Sequence, residues 1–343
     1  MLFNKKPLLY FEFTERRIRY LVMDGHSGAV LEKSEILFDM EILHEEKIID
    51  TSLLENRLSA LVTEKKWKNV QASILLPDNF VIVREEKIPA QLAASEIKAY
   101  LALHIGQKIR SPFKETRFHF EMLEEGDTEQ TILLMLYPQD VILQYESILQ
   151  NVSLNPVVAD ISSLCLYRII RQQKAFQLDP DKHVMVLQWS TVNNAIMVFN
   201  QNLPKFSRQS RLVRLVDLWD VTPDGEWIWK DDTESYEEAI VETLNVLERL
   251  LEFYRYSVVN GEAGVTDIFL TGDFPDLETV REQLSKRFPQ SIHMLAVPEE
   301  INTKFLPLYG LALKEKQTAI PNKIAKKKVK HTREKVQEET EHV

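Results

Sequence analysis

Two stretches far apart in the chain share one rhythm of apolar and polar positions. In His183–Pro204 the apolar runs His183–Leu187 and Ala195–Phe199 flank the polar segment Gln188–Asn194, and Asn200-Gln201-Asn202 turns the chain again. Near the start, Leu8–Phe13 and Ile18–Met23 flank Thr14–Arg17 in the same way, with Asp24-Gly25-His26 as the next turn. An apolar run, a polar turn and a second apolar run predict a hairpin. Two halves that each open on such a hairpin predict a duplicated domain with a cleft between the copies.

The remaining pattern fills in both halves. Ala29–Phe38 adds a strand, and Leu54, Leu58, Leu61 and Val62 mark one face of a helix over Thr51–Glu64. Val70–Leu76 reads as a strand ended by Pro77-Asp78-Asn79, giving a strand–helix–strand unit on an open sheet. Phe80–Val83 opens a new segment. Pro89 then begins a helix whose apolar stripe runs through Leu92, Ile97, Leu101, His104, Ile105 and Ile109. Arg117–Leu123 and Thr131–Tyr137 read as strands, Pro138 starts a helix with Val141, Tyr145, Ile148 and Leu149, and Asn155–Ala159 is a short strand. Asp160 is expected to cap a helix over Ile161–Gln173.

In the second half, Lys205–Trp229 is less regular and reads as a strand or loop pair around Pro223-Asp224-Gly225. Ser235 heads a helix with Ile240, Leu244, Leu247, Leu251, Tyr254 and Val258 on one face. Val265–Thr271 is a strand, Gly272–Pro275 a sharp turn, Leu277–Arg287 a helix, Ile292–Val297 a strand and Phe305–Leu313 a final short helix. The expected organisation is a first half over 1–82 and 160–180, an inserted α/β subdomain over 83–159 and a second half over 181–314. A disordered charged tail is expected over 315–343.

Composition narrows the function classes. A chain of 343 residues is long enough for about two domains with sizeable cores. A net charge of −10 argues against non-specific nucleic-acid binding by the body of the protein. The single cysteine, Cys165, lies in an apolar run and is expected to be a buried small hydrophobe in a reducing compartment. No window approaches a membrane span, so a cytoplasmic protein is expected.

Paired hairpins across a cleft resemble the actin-like nucleotidase plan, in which they grip the phosphates of ATP. That grip needs glycines whose backbone N–H groups close on oxygens and an acid to hold Mg²⁺. The first turn here is Glu12-Phe13-Thr14-Glu15-Arg16-Arg17 and the second Gln188-Trp189-Ser190-Thr191, and neither supplies the set. With nine glycines in the whole chain, phosphate-cradling loops are disfavoured.

Several runs in the body resemble the PilM family of type IV pilus assembly proteins. They are Lys108-Ile109-Arg110-Ser111-Pro112-Phe113-Lys114-Glu115, then Phe118–Leu123, Tyr137-Pro138-Gln139-Asp140-Val141, and Leu154-Asn155-Pro156-Val157-Val158-Ala159-Asp160. Tyr309-Gly310-Leu311-Ala312-Leu313-Lys314 is similar to the family's closing Ala-Leu-Gly-Leu-Ala-Leu run. The resemblance implies an α/β fold of actin-like duplicated RNase-H-like domains with a small insert. It implies a partner too, the cytoplasmic N-terminal peptide of a PilN-like bitopic membrane protein. That peptide would lie in a groove where Leu92, Ile97, Leu101, Phe118 and Phe120 are the candidate contacts, at the inner face of the cell membrane. The family's ATP-binding turns correspond to Glu12 and Thr14, to Gln188 and Ser190, and to Gly272 and Asp273, all degenerate. No catalytic residue, no bound cofactor and no metal are therefore expected, and the protein reads as a non-catalytic scaffold. The competing readings are a working ATPase, a sugar-kinase-like phosphotransferase, and a competence or division scaffold.

Sharper readings of single residues are set beside plainer ones. Glu12 and Glu15 as a metal pair stand against solvated strand-end carboxylates, and the latter is preferred. Turn chemistry is preferred over ligand binding for Gln188, Ser190, Asn193 and Asn194. His104 is expected to be a partly buried core residue, and Trp219, Trp227 and Trp229 a packed satellite cluster rather than a docking patch. Lys323–Lys335 is expected to be solvated rather than lipid-bound.

Overall fold

The computed structural model describes residues 7–173, 179, 181–212, 218–222, 226–230, 233–299 and 301–318. In chain order the first strands are β1 (Leu8–Thr14), β2 (Arg17–Met23) and β3 (Val30–Leu37), a short hairpin of β4 (Leu43–His44) and β5 (Lys47–Ile48), helix α1 (Thr51–Glu64) and β6 (Gln71–Leu76). Next come β7 (Ile82–Pro89), α2 (Ala94–His104), β8 (Thr116–Glu125), β9 (Glu129–Pro138), α3 (Gln139–Asn151), β10 (Asn155–Ile161) and α4 (Ser162–Gln172). The second half holds β11 (His183–Trp189), β12 (Asn193–Asn200), β13 (Leu203–Arg211), β14 (Trp219–Val221), β15 (Trp227–Trp229) and α5 (Thr233–Phe253). It ends with β16 (Asp267–Thr271), α6 (Leu277–Arg287), β17 (Ser291–Met294) and α7 (Leu306–Thr318).

The two large sheets have the same topology. One runs β3-β2-β1-β6-β10 and the other β13-β12-β11-β16-β17. In each, the first three strands form an antiparallel meander and the last two add in parallel on the other side of the first strand. The duplication inferred from the two hairpins is therefore a repeated sheet order.

Strand periodicity explains how the halves join. Successive side chains of β11 point to opposite faces, so Val184 and Val186 enter a core shared with the first half while Met185, Leu187 and Trp189 enter a second core under α5 and α6. The shared core also holds Cys165 and Leu166 of α4 and Leu308 and Leu311 of α7, which fill the space between the sheets. Tyr167 of α4 stacks on Phe199 of β12 at 3.8 Å. The helices cross closely because Gly310 lacks a Cβ, which would lie 2.2 Å from the Cys165 carbonyl oxygen. That contact gives the Tyr309–Lys314 run its physical reason. Cys165 itself is fully buried, and burial pushes its thiol pKa well up, as expected of an inert core residue.

Several expectations change. The segment 83–159 divides: β7, β9 and β8 form a separate three-stranded sheet, whereas β10 pairs with β6 and α3 packs in the first half's core. Pro89 closes β7 rather than starting a helix, and α2 stops at His104, where Gly106 with φ +85° turns the chain. Ile109 still reaches the insert's core, so its place in the apolar stripe reflects burial without helix. His104 is half-buried and stacks on Tyr100 at 4.0 Å. Within Lys205–Trp229, expected to be less regular, the part up to Arg211 belongs to the regular strand β13 paired with β12. Helix α7 runs past Lys314 to Thr318 and belongs to the shared core, not to the second half alone. The rest of the expected tail, with Lys323–Lys335, lies outside the described residues.

Asp160 does not cap α4 as expected. Its carboxylate is paired with Arg168 and Lys314, both at 2.9 Å. The backbone N–H groups of Ser162 and Ser163 instead donate to Asp78, each at 3.0 Å. The cap comes from a residue remote in sequence.

Candidate functional site

The parallel strands β1, β6, β10, β11 and β16 all end toward one cleft between the halves, the usual place for a site in an open α/β sheet. The cleft encloses about 1100 Å³, part of it open to solvent. All six residues expected at the degenerate turns line it: Glu12, Thr14, Gln188, Ser190, Gly272 and Asp273.

Arg19 is its electrostatic centre. It sits in β2, and its side chain is 6% exposed. Its guanidinium donates to Glu35 at 2.6 Å, reaches Glu12 at 3.5 Å and forms a short ion pair with Asp273. Glu35 is shared with Arg17 at 3.5 Å and with Lys304. Glu15 pairs with Arg211. Glu46, at the tip of the β4–β5 hairpin, accepts from the Asn193 and Gln209 side-chain amides, both at 2.8 Å. Arg17 also lies over the Trp227 ring, 4.8 Å from its centroid.

These environments move the acids in opposite directions. Burial raises Glu12 to about 7 despite Arg19, and raises Glu46 to about 7 despite the two amides. Burial also raises Glu15 and Asp78, against their hydrogen-bond donors. For Glu35, burial is overcome by Arg19 and Lys304, which hold it down at about 2. Burial opposes the charge of Arg19, but Asp273, Glu12 and Glu35 outweigh it and raise its pKa. Glu12 and Glu15 are thus mostly enclosed, ion-paired groups and not the solvated carboxylates expected.

The turn residues divide in the same way. The Ser190 hydroxyl accepts from the N–H groups of Val192 and Asn193 at 3.2 and 3.0 Å and donates to the Asn193 carbonyl at 2.9 Å, so turn chemistry accounts for it. Gln188 and Asn193 do more than turn the chain. Gln188 donates to the Ser163 hydroxyl at 3.0 Å, and Asn193 reaches Glu46. Gly272 has φ +133°, and a Cβ there would lie 2.0 Å from the Trp189 carbonyl oxygen, so its glycine serves a backbone contact inside the protein.

The candidate partner contacts sit elsewhere, two of the five buried and three half-buried. Ile97 and Leu101 are 1% and 0% exposed in the core of the insert, and Leu92, Phe118 and Phe120 pack half-buried against it. Trp219 is buried in the second half's own core against Trp229 and Phe274 at 5.2 and 5.5 Å, and not in the satellite cluster expected, while Trp227 packs partly on that core and lies on the cleft. Among the described residues no cluster of three or more His, Cys, Asp or Glu is placed to hold a metal ion.

Sequence reasoning missed Arg19, Glu35, Glu46, Asp78 and Lys304. One signal was present: Arg17 and Arg19 interrupt an apolar strand at alternate positions, and every residue of β2 is buried. Two arginines on one face of a buried strand require acids opposite them.

The repeated sheets and the cleft between them define a protein of the actin-like ATPase fold. The chain belongs to the type IV pilus assembly protein PilM family, whose model matches residues 21–222, more than half of its length. A solved PilM-PilN type IV pilus biogenesis complex is similar at 16% identity and a TM-score of 0.69, covering 90% of this chain and 98% of that one. The cytoplasmic domain of EpsL, an inner membrane component of the type II secretion system of Vibrio cholerae, aligns at 10% identity and a TM-score of 0.43, covering 90% and 95%. MreB 5 of Spiroplasma citri bound to AMPPNP aligns at 8% identity and a TM-score of 0.49, covering 94% and 99%. Comparison with curated protein sequences finds no match. Among the described residues no helix is long and apolar enough to cross a membrane.

Proposed function

We propose that this chain is a non-catalytic scaffold of type IV pilus assembly. It acts at the cytoplasmic face of the inner membrane and holds the cytoplasmic N-terminal peptide of a PilN-like protein. The observation that supports the non-catalytic part is that the groups lining the cleft are already paired with one another. The N–H groups that open α4 donate to Asp78, Arg19 is committed to carboxylates, and Gly272 is packed on the Trp189 backbone. A triphosphate would bring negative charge to a cleft already lined by Glu12, Glu15, Glu46, Asp78 and Asp273. The residues present do not fit Mg-ATP, and no step of hydrolysis is assigned to them.

The partner reading draws on family membership and on the likeness to the PilM-PilN complex. With Ile97 and Leu101 interior, the contact face moves to β8. That strand borders β9 on one side only and alternates half-buried Phe118 and Phe120 with exposed Arg117 and His119. An edge strand of this kind takes an extended peptide by main-chain pairing and side-chain pockets.

Two measurements test the proposal. In a pull-down with the PilN-like cytoplasmic peptide, the double variant R117E/F118A is expected to retain little partner, and full retention removes β8 from the interface. In calorimetry, Mg-ATP is expected to give no saturable heat, whereas micromolar binding would restore the ATPase or phosphotransferase reading.

A further inference from the structure

The polar contacts in the cleft join opposite halves almost pair by pair. Arg19 meets Asp273, and Glu15 meets Arg211. Glu46 is held by Asn193 and Gln209, and Ser163 by Gln188. In every case the first residue belongs to the first half or to α4, and its partner follows it from β11 onward.

We propose that these contacts form an interlobe latch centred on Arg19, which keeps the two halves closed with the protein's own side chains. The placement of the cores makes closure adjustable. The halves are bonded apolarly through α4 and α7, which meet at Gly310, whereas the walls of the cleft meet through ions and amides. Rotation about the α4–α7 crossing separates the polar pairs and leaves the apolar core intact. The ions regain water on opening, so the attraction lost is largely returned as hydration, and the two states lie close in free energy.

Backbone strain points the same way. Glu45 and Glu46 turn the β4–β5 hairpin with φ +48° and +65°, a conformation that non-glycine residues adopt at a cost. The strained turn delivers Glu46 to amides of the other half. The latch rests on the reading that no nucleotide spans the cleft, since both would occupy the same ground.

Hydrogen exchange of the full chain, without nucleotide or partner, tests it. D273N removes a charge while keeping shape, and E46A removes the acceptor of the Asn193 and Gln209 amides. Each is expected to speed amide exchange in the two hairpin turns, residues 14–17 and 189–193, by roughly tenfold to a hundredfold, the range of one lost charge-assisted bond. Exchange in α4 and α7 is expected to stay unchanged, and the radius of gyration to rise. Unchanged turns in both variants overturn the latch, and so does faster exchange that spreads equally into α4 and α7, which marks general loss of fold. R211M, at the partly exposed end of the network, gives a third variant should either of the others fail to fold. Calorimetry with Mg-ATP on the parent separates the two readings. Binding there with faster exchange in the variants defeats the non-catalytic scaffold alone, and no binding with unchanged exchange defeats the latch alone.

Discussion

The two halves repeat one sheet order yet meet the cleft with different chemistry. On the first hairpin, Glu12 lies opposite Arg19, and on the second, Gln188 lies opposite Ala195. The first half thus presents charge and the second presents amides and a hydroxyl-bound turn. The charges that answer the first half come from outside the second hairpin: Asp273 after β16 and Arg211 at the end of β13. In a duplicated fold that clasps a shared ligand, both hairpins face the ligand with similar groups. Here each half has become complementary to the other. The sheets repeat one order, and the turns carry the groups that meet between the halves.

The largest test of this complementarity is at Gly272. G272A sets a Cβ 2.0 Å from the Trp189 carbonyl oxygen at a φ of +133°. Strain and overpacking together are expected to cost about 4 kcal/mol, read from the urea midpoint. A loss below about 1 kcal/mol would mean that the turn yields freely, and that its glycine has been kept for something other than contact with β11.

Next is pH. Glu46 faces Glu15, Asp78 and the two amides, and Glu12 faces Arg19, Asp273 and Glu35; both acids stand at about 7 in the fold, against 4.5 unperturbed. Acids raised by folding stabilise most below their unfolded value, and that contribution is lost as pH rises through the folded value. Each of the two groups is therefore expected to lower stability by about 2.5 kcal/mol between pH 5 and pH 8. Glu35, held at about 2, acts oppositely: its contribution is present above 4.5 and disappears as pH falls toward 2. Urea titrations across this range should show a maximum near pH 5, and E46Q should flatten the alkaline limb. A curve that rises from pH 5 to pH 8 would refute the assignment.

The cap of α4 gives a smaller effect. D78A leaves the Ser162 and Ser163 N–H groups without their acceptor at the wall of the cleft, at an expected cost of about 2 kcal/mol. If melting curves show no loss, water caps the helix and the cleft is wetter than its contacts imply.

The cap also shows where sequence reading stops. The hairpins, α1 and the parallel strands announce themselves through periodicity, because each buries one regular face against a core. Asp78 caps a helix 84 residues away, and no local pattern carries that distance. Glu46 lies between two strands of two residues each, too short for any period to register. The closing helix α7 is apolar enough to announce burial, but Leu308 and Leu311 give no sign that the core they enter is the first half's. The six cleft residues are located by the resemblance to the family's nucleotide-binding turns, which fall at the ends of periodic strands. Of the insert contacts, Ile97 and Leu101 are interior, since an apolar stripe marks a core before it marks a groove.

The smallest effect divides the two hairpins most directly. The second turn spans Ser190–Val192 and is organised by one hydroxyl with three short contacts, so S190A should cost about 1 kcal/mol. The first turn needs only Glu15 and Arg16 between its last paired residues, and its hydroxyl, Thr14, makes a single long contact of 3.4 Å to the Arg17 carbonyl. T14V should then cost no more than about 0.5 kcal/mol. Equal losses in parallel denaturation curves would show that the first turn leans on its side chain as heavily as the second, and the asymmetry between the halves would be confined to their charges.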